Sequence, residues 1–392
     1  MGKNSEKKAA IEPRAAQSRF LRVGVSGGFV EKVRIGIVGS AFVSSLHAEA
    51  LQEVPEAEVL AVASPNRSHA ESFASRWRIP SFATDYRKLL DRKDIDAIVV
   101  GIPNDLHHQV VTAAAEAGKH VILEKPIAHT LDDADAMLKA CRKRKVMLGY
   151  AETICFTPKY VRAKKLVEEG AVGKLYMIKQ GEKHSGPHSD WFYDVERSGG
   201  GALMDMGCHG IEWARWMYGK PKVKSVTAHC QRVLHTGRTR GDDNSVVILE
   251  FEGGGIAVIE DSWAKPGGMD DRVELYGTEG VIYCDLLRGS SMETYSSKGY
   301  GYAVEKAGET RGWTFTVFEE THLYGFPHEM RHFLSSMQGG NQPMETGEDG
   351  RTTLEIIYAA YESAATGRRV TWPYKPKKPG DIPVRPWLKA QA

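Results

Sequence analysis

From Lys32 onward, short runs rich in β-branched residues alternate with helix-length stretches, which restricts this part of the chain to a parallel sheet covered by helices. The runs fall at 33–38, 58–63, 97–101, 120–123 and 146–149. Between them the spacing predicts helices over 44–52, 68–76, 86–90, 107–117 and 131–144, with Gly118 ending the fourth. Parallel neighbours need a long crossover, and a helix fills it. The pattern is that of a doubly wound, nucleotide-binding α/β fold.

Beyond about residue 151 the texture changes. Alternating segments at 245–251, 255–261, 272–276 and 281–285, separated by glycine-rich turns, read as an antiparallel sheet. Helices are expected at 159–169, 203–218, 326–337 and 350–366, an α+β arrangement. The proline-rich stretch 372–387 is expected to form no helix and to lie extended over the surface. The expected division is a tail or arm at 1–31, a Rossmann domain at 32–152, an α+β domain for substrate and oligomer contacts at 153–371, and a tail at 372–392.

A length of 392 residues suits two domains. Fifty-two Lys and Arg against 50 Asp and Glu leave a net charge of +2, which points away from nucleic acid. No apolar run approaches the roughly 18 residues of a membrane helix, so no membrane partner is expected. The five cysteines are scattered, without disulfide or zinc spacing. The basic start (Lys3, Lys7, Lys8, Arg14) lacks a twin arginine, and 20–30 is broken by Arg22 and glycines. These features favour a cytoplasmic protein, with a cleaved export signal as the alternative.

The first run leads through a small-residue turn into a helix, where backbone amides and the helix dipole can meet a pyrophosphate. Gly39, Ala41 and Ser44 occupy the fingerprint positions, and only the first is glycine. Gly39, Ser40, Ala41, Phe42 and Val43 are therefore candidates for cofactor contact. The second strand ends at Ser64, where a carboxylate would select NAD. Ser64, Asn66 and Arg67 suit either a 2′-phosphate or a bare ribose, which leaves NAD(H) and NADP(H) both open. Pro103, Asn104 and His107 follow one strand, and Glu124-Lys125-Pro126 follows another, at the strand ends where open α/β sheets bind ligands.

Further on, Gly199-Gly200-Gly201 precedes a helix on which Asp205 and His209, four apart, share one face. Segment 181–192 is dense in polar and aromatic groups. Its Glu182, His184, His188 and Trp191 suit a sugar, whose hydroxyls need polar partners and whose ring packs on a flat side chain. A polar surface loop is the alternative. Segment 262–268 reads either as a closing element over the substrate or as a simple turn.

These motifs resemble the Gfo/Idh/MocA oxidoreductases, a family similar to glucose–fructose oxidoreductase and inositol dehydrogenase, over residues 32 to about 370. The strand–turn–helix start, Glu124-Lys125-Pro126, and Asp205 with His209 after the triple glycine carry the likeness. It implies an N-terminal Rossmann domain and a C-terminal α+β domain with a large open, mostly antiparallel sheet through which members pair as homodimers or homotetramers. It also implies hydride transfer between NAD(P) and a ring hydroxyl or ketone of a sugar, glycoside or cyclitol. Lys125 would then sit beside the nicotinamide and the reacting hydroxyl, His209 would be the acid/base, and Asp205 its neighbour on the substrate. Glu152 joins them in the expected substrate set. Ala41, Ser44, Gly210 and Glu212 depart from the usual pattern.

The chemistry agrees. Oxidising an alcohol needs a proton acceptor, and histidine, with an ordinary pKa of about 6.5, is suited to it. A lysine ammonium stabilises the developing alkoxide, and a desolvated lysine is itself a base, so both assignments stay open. Glu182, His184, His188, Asp205 and His209 are metal-ligand types, but Lys125 beside them repels a cation, and no metal is expected. Two rival readings are a glycosidase that uses NAD transiently and a ligand-sensing regulator without chemistry.

Overall fold

Six parallel strands form the first sheet of the computed structural model, which describes residues 31–287, 292–297, 311–316 and 320–391. In chain order its elements are β1 (Val33–Val38), α1 (Phe42–Gln52), β2 (Ala57–Ala63), α2 (Arg67–Arg76), β3 (Ser81–Ala83), α3 (Arg87–Leu90) and β4 (Ala97–Val100), then α4 (His107–Glu116), β5 (His120–Glu124), α5 (Leu131–Arg144) and β6 (Leu148–Ala151). The spatial order β3-β2-β1-β4-β5-β6 reverses between β1 and β4, and a ligand crevice opens outside the strand ends there. All four residues of β4 are buried, as a sheet covered on both faces requires.

Strand β6 starts two residues later than expected because packing, not β-branching, places it. The ring of Phe333 fills the space beside Gly149, where an added Cβ would come within 2.6 Å. The short edge strand β3 has no signal of its own and exists through pairing with β2.

The second half continues with α6 (Pro158–Glu168), β7 (Leu175–Lys183), α7 (Val195–Ser198), α8 (Ala202–Asp205), α9 (Gly207–Met217), β8 (Val223–Gln231), β9 (Asn244–Phe251), β10 (Ile256–Ser262), β11 (Asp270–Gly277) and β12 (Val281–Asp285). It ends with β13 (Met292–Ser296), β14 (Gly312–Thr316), α10 (Glu320–Tyr324), α11 (Phe326–Gly339), α12 (Gly347–Thr366), β15 (Val370–Thr371) and α13 (Arg385–Ala390). The seven-stranded sheet runs β12-β11-β7-β10-β9-β8-β15 and is antiparallel except where β7 meets β10. Its inner face carries α9, and both sheets belong to one compact unit that begins at Lys32.

Three expectations need correction. Residues 181–183 are the end of β7 rather than loop. The helix expected at 203–218 is broken at Met206, because the Asp205 carbonyl leaves the helical ladder to accept from Lys125 Nζ at 3.0 Å, and His209 N–H bonds to Met206 O instead. The proline-rich end does form a helix: Pro386 lies in the first turn of α13, where its missing N–H costs nothing. That end is no surface strap either, since Ile382, Val384 and Trp387 are buried.

The expected arm at 1–31 falls, but for its last residue, outside the described residues. Among the described residues no helix is long and apolar enough to cross a membrane. All five cysteines are free.

Gly39 and Gly201 leave no room for a side chain. At Gly39, with φ of +118°, a Cβ would lie 2.1 Å from Gly101 O, and at Gly201 one would lie 1.8 Å from Asp242 O. By contrast nothing surrounds Gly118, which has φ of +75°. Gly201→Ala is expected to cost about 2–4 kcal/mol through backbone displacement, and Gly118→Ala only about 1–2 kcal/mol of left-handed strain. Urea unfolding checks this, and equal losses at the two sites would contradict it.

Candidate active site

At the carboxyl ends of β1, β4 and β5, a cleft of about 1100 Å³, counting its open mouth, runs under β7, α8 and α9. Its first wall is Ala41, Phe42, Val43, Gly101, Pro103 and Asn104. Helix α1 begins there with no side-chain cap and no acidic residue in its first turn, so its amides and positive dipole end await an anion. Ser44, in the third fingerprint position, is fully buried and donates to Gly101 O at 3.3 Å. These features fit a dinucleotide pyrophosphate.

The ribose end is more mixed. Ser40 Oγ and Ser64 Oγ bond at 2.8 Å, tying the phosphate turn to the end of β2. Asn66 caps α2, its carbonyl oxygen accepting from Ser68 and from the His69 amide. Arg67 lies over the Phe82 ring, 5.4 Å from its centroid. Beside Ser40 a second hollow is lined by Ser45, His69, Ser72 and Arg76, with no carboxylate among its walls. His107 does not reach the cleft. It is fully buried, and its ring bridges Ile102 O (2.9 Å) and Pro126 O (3.1 Å), joining the two loops that carry Asn104 and Lys125.

Lys125, Asp205 and His209 converge on the cleft. Lys125 Nζ is 3.0 Å from Asp205 Oδ1, and Trp263 Nε1 donates to Asp205 Oδ2 at 3.0 Å. Burial works against the Lys125 ammonium, but Asp205 and nearby acids hold its pKa above the ordinary value. His209 Nδ1 contacts Glu152 Oε1, which leaves Nε2 for a ligand. Burial lowers the His209 pKa most, with the Lys125 charge acting the same way, but the Glu152 charge and hydrogen bond together with the Glu182 charge raise it above its ordinary value. Glu152, expected to touch substrate, is itself fully buried behind the imidazole and does not line the cleft. Glu124 is likewise turned inward, with one oxygen 2.6 Å from His47 Nε2 on α1 and the other accepting the Lys125 amide, although its edge still borders the cleft.

The opposite wall is Glu182, His184, His188 and Trp191, as expected from the sequence. His188 stacks on Phe42 with centroids 4.2 Å apart, and Trp191 stacks on Phe192 at 3.8 Å. Sequence reasoning missed Thr153, Tyr324 and Phe326, which also line the cleft and lie in segments without a motif, and Met206, which lies between Asp205 and His209 but has no polar group to mark it. It missed Trp263 as well, fully buried in the segment read as a lid or turn. It did not foresee Asp242, which accepts from the Leu203 amide at 2.8 Å and from Tyr361 at 2.6 Å and so pins the glycine turn. Glu212 points away from the cleft, into a buried network with Arg215 and Lys220.

Residues 33–152 match the profile of the Gfo/Idh/MocA oxidoreductase family, NAD-binding Rossmann fold, and residues 160–283 match a C-terminal domain of the same family. The crystal structure of GenD2 from gentamicin A biosynthesis, in complex with NAD, superposes with a TM-score of 0.83 at 30% identity, covering 90% of this chain and 100% of that one. Levoglucosan dehydrogenase in complex with NADH gives a TM-score of 0.73 at 26% identity, over 88% and 100%. The myo-inositol 2-dehydrogenase of Thermotoga maritima is 27% identical over 340 residues, 86% of this chain and 98% of its own.

The paired imidazole yields a test that needs no substrate. In the full chain, NMR titration is expected to place the His209 pKa above its ordinary value of about 6.5, and Glu152→Gln to lower it, because burial and the Lys125 charge are then opposed chiefly by Glu182 alone. An unchanged pKa in the variant would contradict the pairing.

Proposed function

This chain belongs to the Gfo/Idh/MocA family of NAD-binding oxidoreductases, and from that premise we propose that it oxidises a ring hydroxyl of a sugar, glycoside or cyclitol, or reduces the matching ketone. The observation that carries the reading is the convergence of Lys125, Asp205 and His209 at the cleft, with the second nitrogen of the imidazole engaged by a buried carboxylate. That arrangement is costly to build and has the parts of an acid/base centre. The imidazoles and the carboxylate of the facing wall suit a polyol, and the names of the relatives support the same substrate class.

In this proposal the substrate hydroxyl lies between Lys125 Nζ and His209 Nε2. His209 accepts the hydroxyl proton, while Glu152 holds the ring orientation and stabilises the imidazolium that results. Lys125, fixed by Asp205, stabilises the alkoxide and sets the carbinol carbon in register. A bound nicotinamide ring supplies the hydride acceptor. The raised pKa of both Lys125 and His209 favours His209 as the base, since lysine would have to lose its proton against the Asp205 charge. Oxidation then speeds up as pH rises through the His209 pKa, and reduction slows.

NAD and NADP remain alternatives, because no carboxylate closes the ribose end and the facing hollow carries hydroxyls, His69 and Arg76. The outer face of the second sheet exposes Ile248, Ile256, Val281 and Tyr283, which suits pairing with a second copy. The free cysteines suit a reducing cytoplasm. We keep the division into nucleotide-binding and substrate-binding parts near residue 152.

The test has two parts. Mass spectrometry of small molecules released on denaturation identifies any retained nucleotide, and assays of inositols and glycosides with each nucleotide follow. Lys125→Ala and His209→Ala are each expected to lower kcat by about 10²–10⁴-fold. An unchanged rate in Lys125→Ala would remove Lys125 from the catalytic centre, and no turnover of any of these substrates with either nucleotide would favour a binding-only protein. Steady aglycone release from a chromogenic glycoside without added cofactor would replace the simple dehydrogenase with a glycosidase.

A further inference from the structure

Strands β10, β7 and β11 lie side by side, and their register sets Asp261 opposite Glu182 and Glu182 opposite Asp271. Directly opposed residues share one face of a sheet, with Cβ atoms about 5 Å apart. All three carboxyls point inward and are buried, with exposures of 1%, 6% and 0%. The central one, Glu182, lines the cleft.

Helix α9, which carries His209, rests on this row. A Cβ at Gly207 would lie 3.0 Å from Asp261 Oδ2, and one at Gly210 would lie 2.4 Å from Gln180 Oε1, the next inward side chain of β7. The Gly-Cys-His-Gly sequence thus lets the helix settle directly onto a polar surface. Gly210, a departure from the family pattern, has its reason here.

Three ionised carboxylates in a buried row would repel one another and forgo solvation. Few cations are at hand. Asp271 faces Tyr160 from α6, whose hydroxyl donates to Oδ1 at 2.6 Å, together with Glu182, Asp270 and His209. Asp261 faces Ser245 from β9 at 3.4 Å, together with Glu182, Asp242 and the more distant Lys183, which is itself paired with Glu260 on the outer face. Asp261 Oδ1 and Asp271 Oδ2 are buried with no acceptor or donor among the described residues. Burial first, and Glu182 second, push both aspartates well above the carboxylate range.

We propose that Asp261 and Asp271 are positioning residues that stay protonated at neutral pH and, from either side, hold the Glu182 carboxylate as the acceptor for a substrate hydroxyl. Neutral acids can donate where carboxylates cannot, so the row becomes two donors flanking one acceptor. The acceptor is then fixed in a single rotamer before substrate arrives, which lowers the ordering cost of binding. The assignment of a polyol to this wall rests on the dehydrogenase reading above, whereas the placement of the protons does not.

The experiment therefore separates the two. Isotope-edited infrared spectra of the full wild-type chain, labelled in the aspartate carboxyl, are expected to show a protonated-carboxyl band at neutral pH that weakens in Asp261→Asn and in Asp271→Asn. Asp242, pushed up only to about 6, is told apart by raising the pH from 7 to 8, which removes its contribution and leaves that of the row. In steady-state assays Glu182→Gln and Asp271→Ala are expected to raise KM about tenfold with kcat nearly kept, and Asp271→Asn to recover most of the loss because its amide still donates. Absence of the band in the wild-type chain, or a KM in Asp271→Asn as poor as in Asp271→Ala, would overturn the proposal. A clear band in a protein that oxidises no sugar or cyclitol would overturn the dehydrogenase reading and leave the protonation standing.

Discussion

The site depends on compensating charges that have been taken out of water. Lys125 comes from the end of β5 and Glu152 from just past β6, while Asp205 and His209 come from α8 and α9 across the cleft. Each ion pair therefore bridges the nucleotide-binding sheet and the helices that lean on the second sheet. Removing one member leaves its partner buried and unpaired, which costs more than the pair contributes. The same requirement breaks the helix at Met206, since the Asp205 carbonyl serves Lys125 rather than the next turn.

The glycines follow from the same closeness. Gly39 admits the backbone of Gly101, Gly201 admits that of Asp242, and Gly207 and Gly210 bring α9 down onto the inner face of the sheet. The buried C-terminal segment, whose Val384 amide bonds to Gly199 O at 3.3 Å, closes the back of the glycine turn. Positions that look like loose turns in the chain are thus points where backbones touch, and they set the distance between Lys125 and His209.

Elements driven by local pattern were legible from the sequence. β1, α5 and β12 occur with the expected bounds, because β-branched runs and a helix with a Thr130 cap and acidic first turn carry their own signals. Lys125, Asp205, His209, Glu182, His184, His188 and Trp191 meet at the cleft as their motifs suggested. What the sequence hid was partnership. Nothing near Glu152 marks it as the companion of His209, nor His47 as that of Glu124, since each pair spans dozens of positions. His107 opens α4 as expected, but its ring braces the site rather than reaching into it. Trp263 and the helix at 385–390 were misread because a turn sequence and a proline do not reveal a buried tryptophan or a first helical turn.

In the proposed reaction a carbon-bound hydrogen of a polyol leaves as hydride at a centre built from Lys125, Asp205 and His209. The most direct measurement uses an inositol or glycoside carrying deuterium on its ring carbinol carbons, with mass spectrometry of the nicotinamide cofactor after a single turnover. The account predicts reduced cofactor that holds one deuterium in the wild-type chain and next to none in the His209→Ala chain. Deuterium released to water, or turnover with no reduced cofactor, would contradict it.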